Sequence, residues 1–467
     1  MIRIFSQYIS PKNLLLVFLE GGFIVLGLLC GAWLRFWSNP AEFASYIHAP
    51  EFLIQAITFV VTVQLCFYYS DLYDLNVVRT RRDQLISLGQ SLGTASLLLG
   101  LIYFIFPSLL IGRGVFFIGT ALIAAIVVSG RVVMDTAWGL SALRQNILIL
   151  GTQELALTVA RELIRRNDLN IQLVGFLDSS TDFTPDTSLL GRPVLGNLDS
   201  VEFITEHRKV SRIVVALPDR RGVLPIRSLV RLRVLGVRVE DAHSAVSSLS
   251  GRIWLDMVRP SWFVFSEGFH RSRLNMIFKR LIDLVCAVLG LLLASPIMLL
   301  VAIAVKLDSK GPALFAQTRV GLRGKCFEVL KFRSMRVDAE AGGAQWAKKN
   351  DNRVTRLGRY LRKFRLDELP QFINVIRGDM SFVGPRPERP VFVDQLRELI
   401  PYYDERHSVR PGLTGWAQVQ FPYGASVEDA YRKLEYDLFY LKNMSICFDA
   451  AIILKTIRTV LGGSGAR

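Results

Sequence analysis

Cysteine and histidine are scarce in this sequence, and neither occurs in a metal-binding pattern. The chain of 467 residues contains five cysteines and five histidines, with no CxxC pair and no His/Cys cluster. Cys30, Cys66 and Cys286 lie within apolar runs, where a thiol is typically a buried structural side chain. This usage excludes a zinc site and a disulfide framework, and it is typical of a reducing compartment.

Acidic residues are also fewer than basic residues. The chain has 40 aspartates and glutamates against 56 lysines and arginines, which gives a formal net charge of +16. Such an excess of positive charge indicates anionic partners, namely lipid headgroups, phosphates or nucleic acid. Hydrophobic residues make up 51% of the chain. Because this share exceeds that of most soluble proteins, membrane segments are expected.

Four apolar runs open the chain, at about 14–34, 52–69, 92–106 and 114–129. Each approaches or reaches the length that crosses the hydrocarbon core of a bilayer. The first run lacks an A-x-A-like cleavage site and further runs follow it, so no cleavable signal peptide is predicted. Basic residues flank the runs mainly on one side. This asymmetry predicts a cytoplasmic N-terminus and a cytoplasmic chain after the fourth run.

From residue 146 the pattern changes to alternating strands and amphipathic helices. Strand-like segments occur at 147–151, 172–177, 212–217 and 236–240, and the alternation predicts a parallel, Rossmann-like α/β sheet. We expect this middle domain to help the chain assemble as a homodimer, because two-fold dimers are the commonest assemblies of soluble domains.

The glycine-rich phosphate loop of dinucleotide-binding domains is missing. After the first strand the chain reads Gly151-Thr-Gln-Glu-Leu-Ala rather than G-x-G-x-x-G. Glu154 would place a negative charge near the helix N-terminus, where a pyrophosphate would bind. The sequence therefore predicts a degraded nucleotide loop and no NAD binding.

The apolar segment 284–305 is long enough for a fifth span. Basic residues both precede and follow it, so the flanking charges do not favour crossing. Ser295 and Pro296 lie in its middle. Proline removes a backbone hydrogen bond and kinks a helix, while a nearby serine can satisfy the freed carbonyl. We therefore predict a re-entrant helix at about 281–305, broken at Ser295 and Pro296.

Three later segments have recognisable patterns. Segment 311–335 contains two glycine turns and predicts a β-hairpin with a basic end at Lys331 and Arg333. In segment 357–364, apolar residues recur at helical spacing with arginines between them. That pattern is typical of a helix on a membrane surface, and a solvated basic face is the alternative. Segment 446–461 is a second amphipathic candidate.

The adjacent carboxylates Asp367 and Glu368 follow a basic run that includes Arg362 and Arg365. Mg²⁺ is usually held by one or two carboxylates together with substrate phosphates, and arginine matches phosphate oxygens with two donors. The pair therefore suits the handling of a phosphate through a divalent metal. An acidic residue ahead of Glu-Leu-Pro is also typical of a helix N-cap, so the spacing leaves both interpretations open.

Several motifs occur in order from residue 279 onward: KRLID (279–283), ASPIM (294–298), GPALFAQTRVGLRGKCFEVLKFRSM (311–335), LDELPQFINVIRGDMSFVGPRP (366–387) and RPGLTGWAQV (410–419). Together they resemble the bacterial sugar transferase family, whose members are polyprenyl-phosphate sugar-1-phosphate transferases that start glycan assembly. The preceding helices and α/β domain resemble those of large members that initiate exopolysaccharide or capsule synthesis. The N-terminal half resembles members found with exosortase-linked clusters.

The resemblance implies roles for individual residues. Asp367 matches the nucleophile of the family and Glu368 matches its Mg²⁺-binding partner. Ser295 and Pro296 match the break of a re-entrant helix. Binding of the substrate is implied for Lys331, Arg333, Arg362, Arg365, Pro385, Arg386 and Pro387.

The implied activity is transfer of a hexose-1-phosphate from a UDP-sugar to undecaprenyl phosphate, with release of UMP and a phosphosugar intermediate on Asp367. Mg²⁺ is the implied cofactor. The expected partners are the UDP-sugar, undecaprenyl phosphate, membrane lipids and a second copy of the chain, with no nucleic acid. The alternatives are a membrane-bound nucleotide-sugar epimerase or dehydratase, which needs the missing glycine loop, and a non-catalytic lipid-binding scaffold, which leaves the acidic pair unexplained.

The predicted architecture has three parts. A membrane α-helical N-terminal bundle of four transmembrane helices occupies residues 1–145, and the α/β Rossmann-like middle domain occupies residues 146–262. An α+β monotopic catalytic domain with the re-entrant membrane helix occupies residues 270–467. We expect a multi-pass protein of the bacterial inner membrane with its catalytic domain on the cytoplasmic face.

Overall fold

The structure is a computed structural model of the chain. It describes all residues except 1, 5–6, 10, 71, 74–80, 139–144, 167–170, 180–187, 218–222, 258–262, 264–267, 270–271, 338, 340–350, 422–423, 425 and 462–467. Backbone contacts group the chain into two compact units. The first comprises Met1–Ile4 and Tyr8–Ala245, and the second comprises Phe5–Gln7 and Val246–Arg467.

Four helices of the first unit are long and apolar enough to cross a membrane, counted within the described residues. The elements of this part are β1 (Ile2–Ile4), β2 (Gln7–Ile9), α1 (Pro11–Arg35), α2 (Pro40–Ile47), α3 (Pro50–Tyr69), α4 (Arg81–Ile105) and α5 (Arg113–Trp138). Each predicted apolar run therefore lies within a helix. Helix α4 begins well before the predicted residue 92, because small and polar residues such as Ser87 and Gly89 lower the hydropathy without ending the helix.

Helices α1 and α5 approach each other closely through glycine. A Cβ atom on Gly31 would lie 2.8 Å from the Cα atom of Gly119, so position 31 has no room for a larger residue. The same two helices carry a buried ion pair, in which Arg131 Nε donates to Glu20 Oε1 at 2.6 Å. Glu20 is fully buried. Close backbone packing and a buried polar contact thus join the first and last helices of the bundle.

The remainder of the first unit contains a six-stranded sheet within the described residues, in the order β5-β6-β4-β3-β7-β8. Its elements are β3 (Gln145–Leu150), α6 (Glu154–Arg165), β4 (Ile171–Asp178), β5 (Ser188–Leu189), β6 (Arg192–Asn197), α7 (Val201–His207), β7 (Arg212–Val215), α8 (Ile226–Val234), β8 (Arg238–Asp241) and α9 (Ala242–Ser250). Every pairing is parallel except that of β5 with β6. The four predicted strands are present, and the β5–β6 hairpin was not predicted.

The second unit contains the predicted hairpin and a set of short elements around it. These are α10 (Arg273–Asp308), β9 (Leu314–Val320), β10 (Cys326–Phe332), α11 (Arg356–Lys363), α12 (Gln371–Arg377), β11 (Ser381–Val383), α13 (Pro390–Leu399), β12 (Gly412–Thr414), α14 (Trp416–Gln420), α15 (Val427–Asn443) and α16 (Ile446–Leu461). Strands β9 and β10 are antiparallel, whereas β11 and β12 are parallel. The amphipathic segments predicted at 357–364 and 446–461 correspond to α11 and α16.

Helix α10 is one continuous helix with Pro296 inside it, so the predicted interruption into two helices is not observed. Proline at position 296 cannot donate to the carbonyl of Leu292, four residues earlier. Ser295 Oγ donates to that same carbonyl at 2.8 Å. The serine thus satisfies the acceptor that the proline leaves open, as predicted, and the helix continues through the site.

The end of the predicted middle domain belongs to the second unit. Ile253 and Leu255, both inside the predicted range 146–262, are buried in the same hydrophobic cluster as Trp416 and Phe439. Trp416 Nε1 donates to the carbonyl of Gly251 at 2.7 Å. The sequence pattern did not reveal this, because the segment after α9 contains no strand or helix period of its own.

Candidate active site

The acidic pair lies in a tight turn between two short helices. Arg365 has left-handed backbone geometry (φ 57°), and residues Leu366–Glu368 form a 3-10 turn. Asp367 and Glu368 are both buried, at 7% and 8% exposure. The N-cap of the next helix, α12, is Pro370, and the Asp367 carboxylate accepts no hydrogen bond from any described residue. The N-cap interpretation of Asp367 is therefore wrong, and the carboxylate is available for chemistry.

Three basic side chains surround Glu368. Arg386 Nη2 lies 2.9 Å and Lys331 Nζ 3.3 Å from Glu368 Oε1, while Arg365 Nη1 lies 3.7 Å from Glu368 Oε2. These residues come from β10, the turn before the acidic pair and the segment after β11. The fold therefore brings together three of the residues that were expected to bind substrate.

The two neighbouring carboxylates have opposite electrostatics. Burial raises the pKa of Asp367, and the negative charge of Glu368 raises it further. For Glu368, burial alone would raise the pKa, but the positive charges of Arg386, Lys331 and Arg365 outweigh burial and lower it. Environments that shift the pKa values of two neighbouring carboxylates in opposite directions are typical of carboxylates with different chemical roles. Glu368 is therefore the more acidic of the two carboxylates, and Asp367 is the more basic.

Arg362 lies on the Asp367 side of the cluster. Its positive charge lowers the pKa of Asp367, partly offsetting the effect of burial. The Nε atom of Arg362 donates to Ser334 Oγ at 2.9 Å, which fixes the guanidinium. Gly358 makes this packing possible, because a Cβ atom there would lie 2.0 Å from the carbonyl oxygen of Ser334.

Arg333, which was also predicted to bind substrate, lies outside the cluster around Glu368. Its side chain is buried and donates to the carbonyls of Ser309 at 2.7 Å and Val305 at 3.5 Å, as well as to Lys310. Val305 lies in the last turn of α10, and Ser309 and Lys310 directly follow the helix. Arg333 therefore caps the C-terminal end of α10. Ser295 and Pro296 also lie in α10, outside the cluster.

The turn Pro385-Arg386-Pro387 is held by hydrogen bonds to all three of its carbonyls. The Pro385 carbonyl accepts from the Gly412 backbone at 2.9 Å, that of Arg386 from Arg406 Nη2 at 2.9 Å, and that of Pro387 from Arg319 Nη1 at 3.2 Å. Two prolines restrict the same backbone. The guanidinium of Arg386 is thus presented to Glu368 from a fixed turn.

The sequence did not predict the roles of Arg406 and Arg319 or that of the RPGLTGWAQV motif. Gly412 and Gly415 of that motif lie against Gly384, since a Cβ on Gly412 would meet the Gly384 nitrogen at 2.1 Å and one on Gly415 the Gly384 carbonyl at 2.2 Å. The glycines let β12 approach the residue before the Pro-Arg-Pro turn. The signal in the sequence was the motif itself, for which no structural role was predicted.

Replacing Arg406 with methionine should destabilise the second unit and weaken use of the donor. Arg406 is buried and donates to Asp437 at 2.9 Å and Tyr403 Oη at 2.7 Å as well as to the Arg386 carbonyl. Removing one partner of a buried ion pair typically costs about 3–5 kcal/mol. The exposed Arg397→Met is the matched control. Equal melting temperatures for the two variants would contradict this assignment.

The acidic pair has a composition that fits Mg²⁺. Within the described part of the chain, no group of three or more His, Cys, Asp or Glu side chains could hold a metal ion. A cation at the acidic pair would have at most Asp367 and Glu368 as protein ligands and would need further oxygen ligands from a bound molecule or water. One or two carboxylates plus substrate phosphates is the usual environment of Mg²⁺. The uncommitted Asp367 oxygens suit this composition.

Comparison with known proteins agrees with this geometry. Residues 274–463 match the family described as bacterial sugar transferase. A relative from Xanthomonas campestris pv. campestris, a UDP-glucose:undecaprenyl-phosphate glucose-1-phosphate transferase, is 33% identical over 323 residues, which cover 68% of this chain and 67% of that protein. The chain belongs to the bacterial sugar transferase family. The matched range of this sugar transferase begins at α10 and includes the acidic pair, the Pro-Arg-Pro turn and the glycines that support it.

Other relatives match the sugar transferase over shorter stretches. A UDP-N-acetylgalactosamine-undecaprenyl-phosphate N-acetylgalactosaminephosphotransferase from Aeromonas hydrophila is 44% identical over 241 residues, 52% of this chain and 56% of that protein. A UDP-glucose:undecaprenyl-phosphate glucose-1-phosphate transferase from Escherichia coli K12 is 47% identical over 188 residues, 40% of each chain. The sugar transferase thus spans about half the length of these relatives. Residues 69–240 match a family described as a CoA-binding domain.

Proposed function

We propose that this protein transfers a hexose-1-phosphate from a UDP-sugar to undecaprenyl phosphate and releases UMP. The observation that carries the proposal is the buried Asp367–Glu368 pair with basic side chains around it. A diphosphate brings negative charge, and this cluster holds more positive than negative side chains. The names of the relatives support the same donor and acceptor classes. Neither alternative function accounts for the buried acidic pair and its basic neighbours.

The reaction proceeds in two displacements on phosphorus. An oxygen of the Asp367 carboxylate attacks the phosphorus that carries the sugar. The bond from that phosphorus to the bridging oxygen breaks, and UMP leaves with the electron pair. The phosphosugar is then bound to Asp367 as an acyl phosphate. A phosphate oxygen of undecaprenyl phosphate attacks the same phosphorus and releases the Asp367 carboxylate. Two steps let an aqueous donor and a lipid acceptor react in turn at one residue.

The surrounding side chains position and neutralise the phosphates. Arg386 and Lys331, now paired with Glu368, are placed to donate to the diphosphate. Arg362 and Arg365 add positive charge beside the reacting carboxylate. Mg²⁺, held by Glu368 with Asp367 next to it, would neutralise charge on the diphosphate. The main contributions of the protein are thus orientation of the reacting groups and electrostatic stabilisation, as is usual in phosphoryl transfer.

The direct test is UMP release by membranes that contain the protein, with a panel of UDP-sugars and undecaprenyl phosphate. We expect UMP and a lipid-linked diphosphate sugar in equal amounts, and no product after chelation of Mg²⁺. An epimerase or dehydratase would convert the sugar without releasing UMP. A lipid-binding scaffold would do neither. Absence of UMP with every donor would refute the proposed function.

Glu368→Gln is expected to raise the Mg²⁺ concentration for half-maximal activity by roughly tenfold or more, because it removes one charged oxygen ligand. Donor affinity should change less, since Arg386, Lys331 and Arg362 remain. The measurement is a Mg²⁺ titration at saturating donor. Asp379→Asn, a change outside the cluster, serves as the control. An unchanged Mg²⁺ response would remove Glu368 from the metal site.

We further propose that α10 enters the membrane from the cytoplasmic side, bends at Pro296 without ending, and returns to the same side. The helix contacts its own unit near both ends: Arg280 donates to the Val375 carbonyl at 2.7 Å, Ala287 packs with Val375, and Val305 packs with Phe332. A helix crossing the bilayer would have its ends on opposite faces, where one unit in water could not contact both. Exposed apolar side chains cover much of the rest of the helix, which supports contact with lipid.

Reporter fusions test this topology. A fusion after Lys310 should report the cytoplasm, as should one at the N-terminus. Pro296→Leu restores the missing backbone donor and should favour a straight, spanning helix, with Leu299→Ile, at an exposed position of the same helix, as a control. A periplasmic signal after Lys310 in the unmodified protein would exclude the re-entrant topology.

We propose that the middle domain is Rossmann-like and binds no dinucleotide. Its parallel strands follow the order 3-2-1-4-5 in sequence numbering, the order of doubly wound sheets. Glu154 is the first residue of α6, where it would oppose a pyrophosphate. We propose that the domain supports homodimer formation, and that the enzyme serves exopolysaccharide or capsule assembly at the bacterial inner membrane.

A further inference from the structure

The guanidinium of Arg386 connects the acidic pair to a neighbouring pocket. Its Nη2 atom donates to Glu368 Oε1 at 2.9 Å, and its Nη1 atom lies 3.5 Å from Gln418 Oε1. Both Arg386 and Gln418 line the pocket, together with Phe421 and Glu388. A UDP-sugar whose diphosphate contacts Arg386 would therefore extend its nucleoside either towards this pocket or into solvent.

Gln418 presents an unused hydrogen-bond donor. Its Nε2 atom is buried and has no partner among the described residues. The contact of Oε1 with Arg386 fixes which way the carboxamide points, because the guanidinium offers only donors. Buried polar atoms are nearly always paired in folded proteins. An unpaired donor beside an open pocket indicates that a ligand supplies the acceptor.

The charges around the pocket indicate what kind of ligand group enters it. Two carboxylates line it, Glu388 and Asp437. Arg319 lies 3.4 Å from Glu388, and Arg406 lies 2.9 Å from Asp437. Of the three cations in the lining, Arg386 donates to Glu368 outside the pocket, Arg406 is paired with Asp437, and Lys433 donates to the Gly424 carbonyl. A neutral, polar group with carbonyl oxygens fits the pocket better than a phosphate, and Phe421 adds an aromatic ring.

We propose that this pocket binds the uracil base of the donor, with Gln418 Nε2 donating to a uracil carbonyl and the Phe421 ring contacting the base. The proposal rests on the proposed function, since it assumes a uridine diphosphate donor. It assigns Gln418 as a specificity-determining residue. Uracil has a carbonyl oxygen at C4, where cytosine has an amino group that cannot accept from Gln418. Sites that hydrogen-bond a substrate group discriminate strongly against its replacement.

Binding of UMP and CMP to the full-length protein with Mg²⁺ tests the assignment without knowledge of the sugar. We expect the wild type to bind UMP at least about tenfold more tightly than CMP. Gln418→Leu should bring the UMP-to-CMP affinity ratio close to one. Gln418→Glu keeps the side-chain shape, replaces the donor with an acceptor and should shift the ratio towards CMP. Phe421→Leu should weaken both nucleotides alike. Gln420→Leu is the control and should behave as wild type.

The outcomes separate this inference from the proposed function. A UMP-to-CMP ratio that is the same in wild type, Gln418→Leu and Gln418→Glu would overturn the assignment of Gln418, even if the protein released UMP from UDP-sugars. Gln418-dependent UMP preference in a protein that transfers no phosphosugar would overturn the proposed function and leave the base pocket standing. Circular dichroism of each variant confirms that a lost preference does not come from unfolding.

Discussion

Replacing Asp367 with asparagine is expected to reduce phosphosugar transfer by about a thousandfold or more, the usual loss when a nucleophile is removed. An amide oxygen cannot form the acyl phosphate that the two displacements require. The fold should be unaffected, because the Asp367 carboxylate accepts no hydrogen bond from the described residues. Binding of UMP should persist, since Arg386 and Lys331 remain in place.

Intact-mass measurement supplies the decisive readout for this variant. With a UDP-sugar and no lipid acceptor, the unmodified protein should gain the mass of one phosphosugar, whereas Asp367→Asn should gain none. Asp394→Asn, at an exposed position on α13, is the matched control and should behave as wild type. Turnover of Asp367→Asn within a few fold of wild type would show that the donor and acceptor react directly, with no intermediate on this residue.

Glu20→Gln should cause the largest loss of stability in the helical bundle. Glu20 is fully buried and accepts from Arg131 Nε at 2.6 Å. Breaking a buried pair by removing one charge typically costs about 3–5 kcal/mol, because the other charge is left uncompensated. For a unit of this size we expect a melting temperature roughly 6–12 °C lower in detergent. Glu51→Gln, at an exposed position of α3, should have little effect.

A double replacement distinguishes the pair from a general sensitivity of the bundle. Glu20→Met combined with Arg131→Met removes both charges and fills the space with apolar atoms. Such replacements are often neutral or stabilising, so the double variant should recover most of the loss. If Glu20→Gln melts at the wild-type temperature, or if the double variant is the least stable of the three, the pair does not hold α1 to α5.

The elements that the sequence predicted well are those with a strong local period. The apolar runs and the β3, β4, β7 and β8 strands repeat their pattern over enough residues to be recognised. The β5–β6 hairpin has no such pattern: β5 is two residues long, and the turn depends on Gly191 with a φ of 72°. Likewise, the membership of Ile253 in the second core depends on contacts with residues far along the chain.

The same difference between local patterns and distant contacts separates the site residues that were predicted from those that were not. Lys331, Arg365 and Arg386 are found around Glu368, because motif and charge were informative there. Arg333 was predicted to bind substrate but donates to backbone carbonyls at the end of α10, because a basic residue at the end of a strand has the same sequence pattern in both roles. The burial of Arg406 could not be foreseen either. It depends on Asp437, which is 31 residues away in sequence and meets it only in the folded unit.

Helix α10 has a consequence for how this enzyme can be handled. Its buried residues, such as Ala287 and Val305, complete two hydrophobic clusters of the catalytic unit. The carbonyls of Val305, Ser309 and Lys310, at and just after its C-terminal end, accept from the guanidinium of Arg333. A truncation that begins at residue 311 would expose both clusters to water and leave Arg333 without acceptors. Removing this apolar helix to gain solubility is therefore expected to fail, because its buried residues are part of the folded catalytic unit. Detergents or nanodiscs should be chosen to cover this helix while leaving it in place.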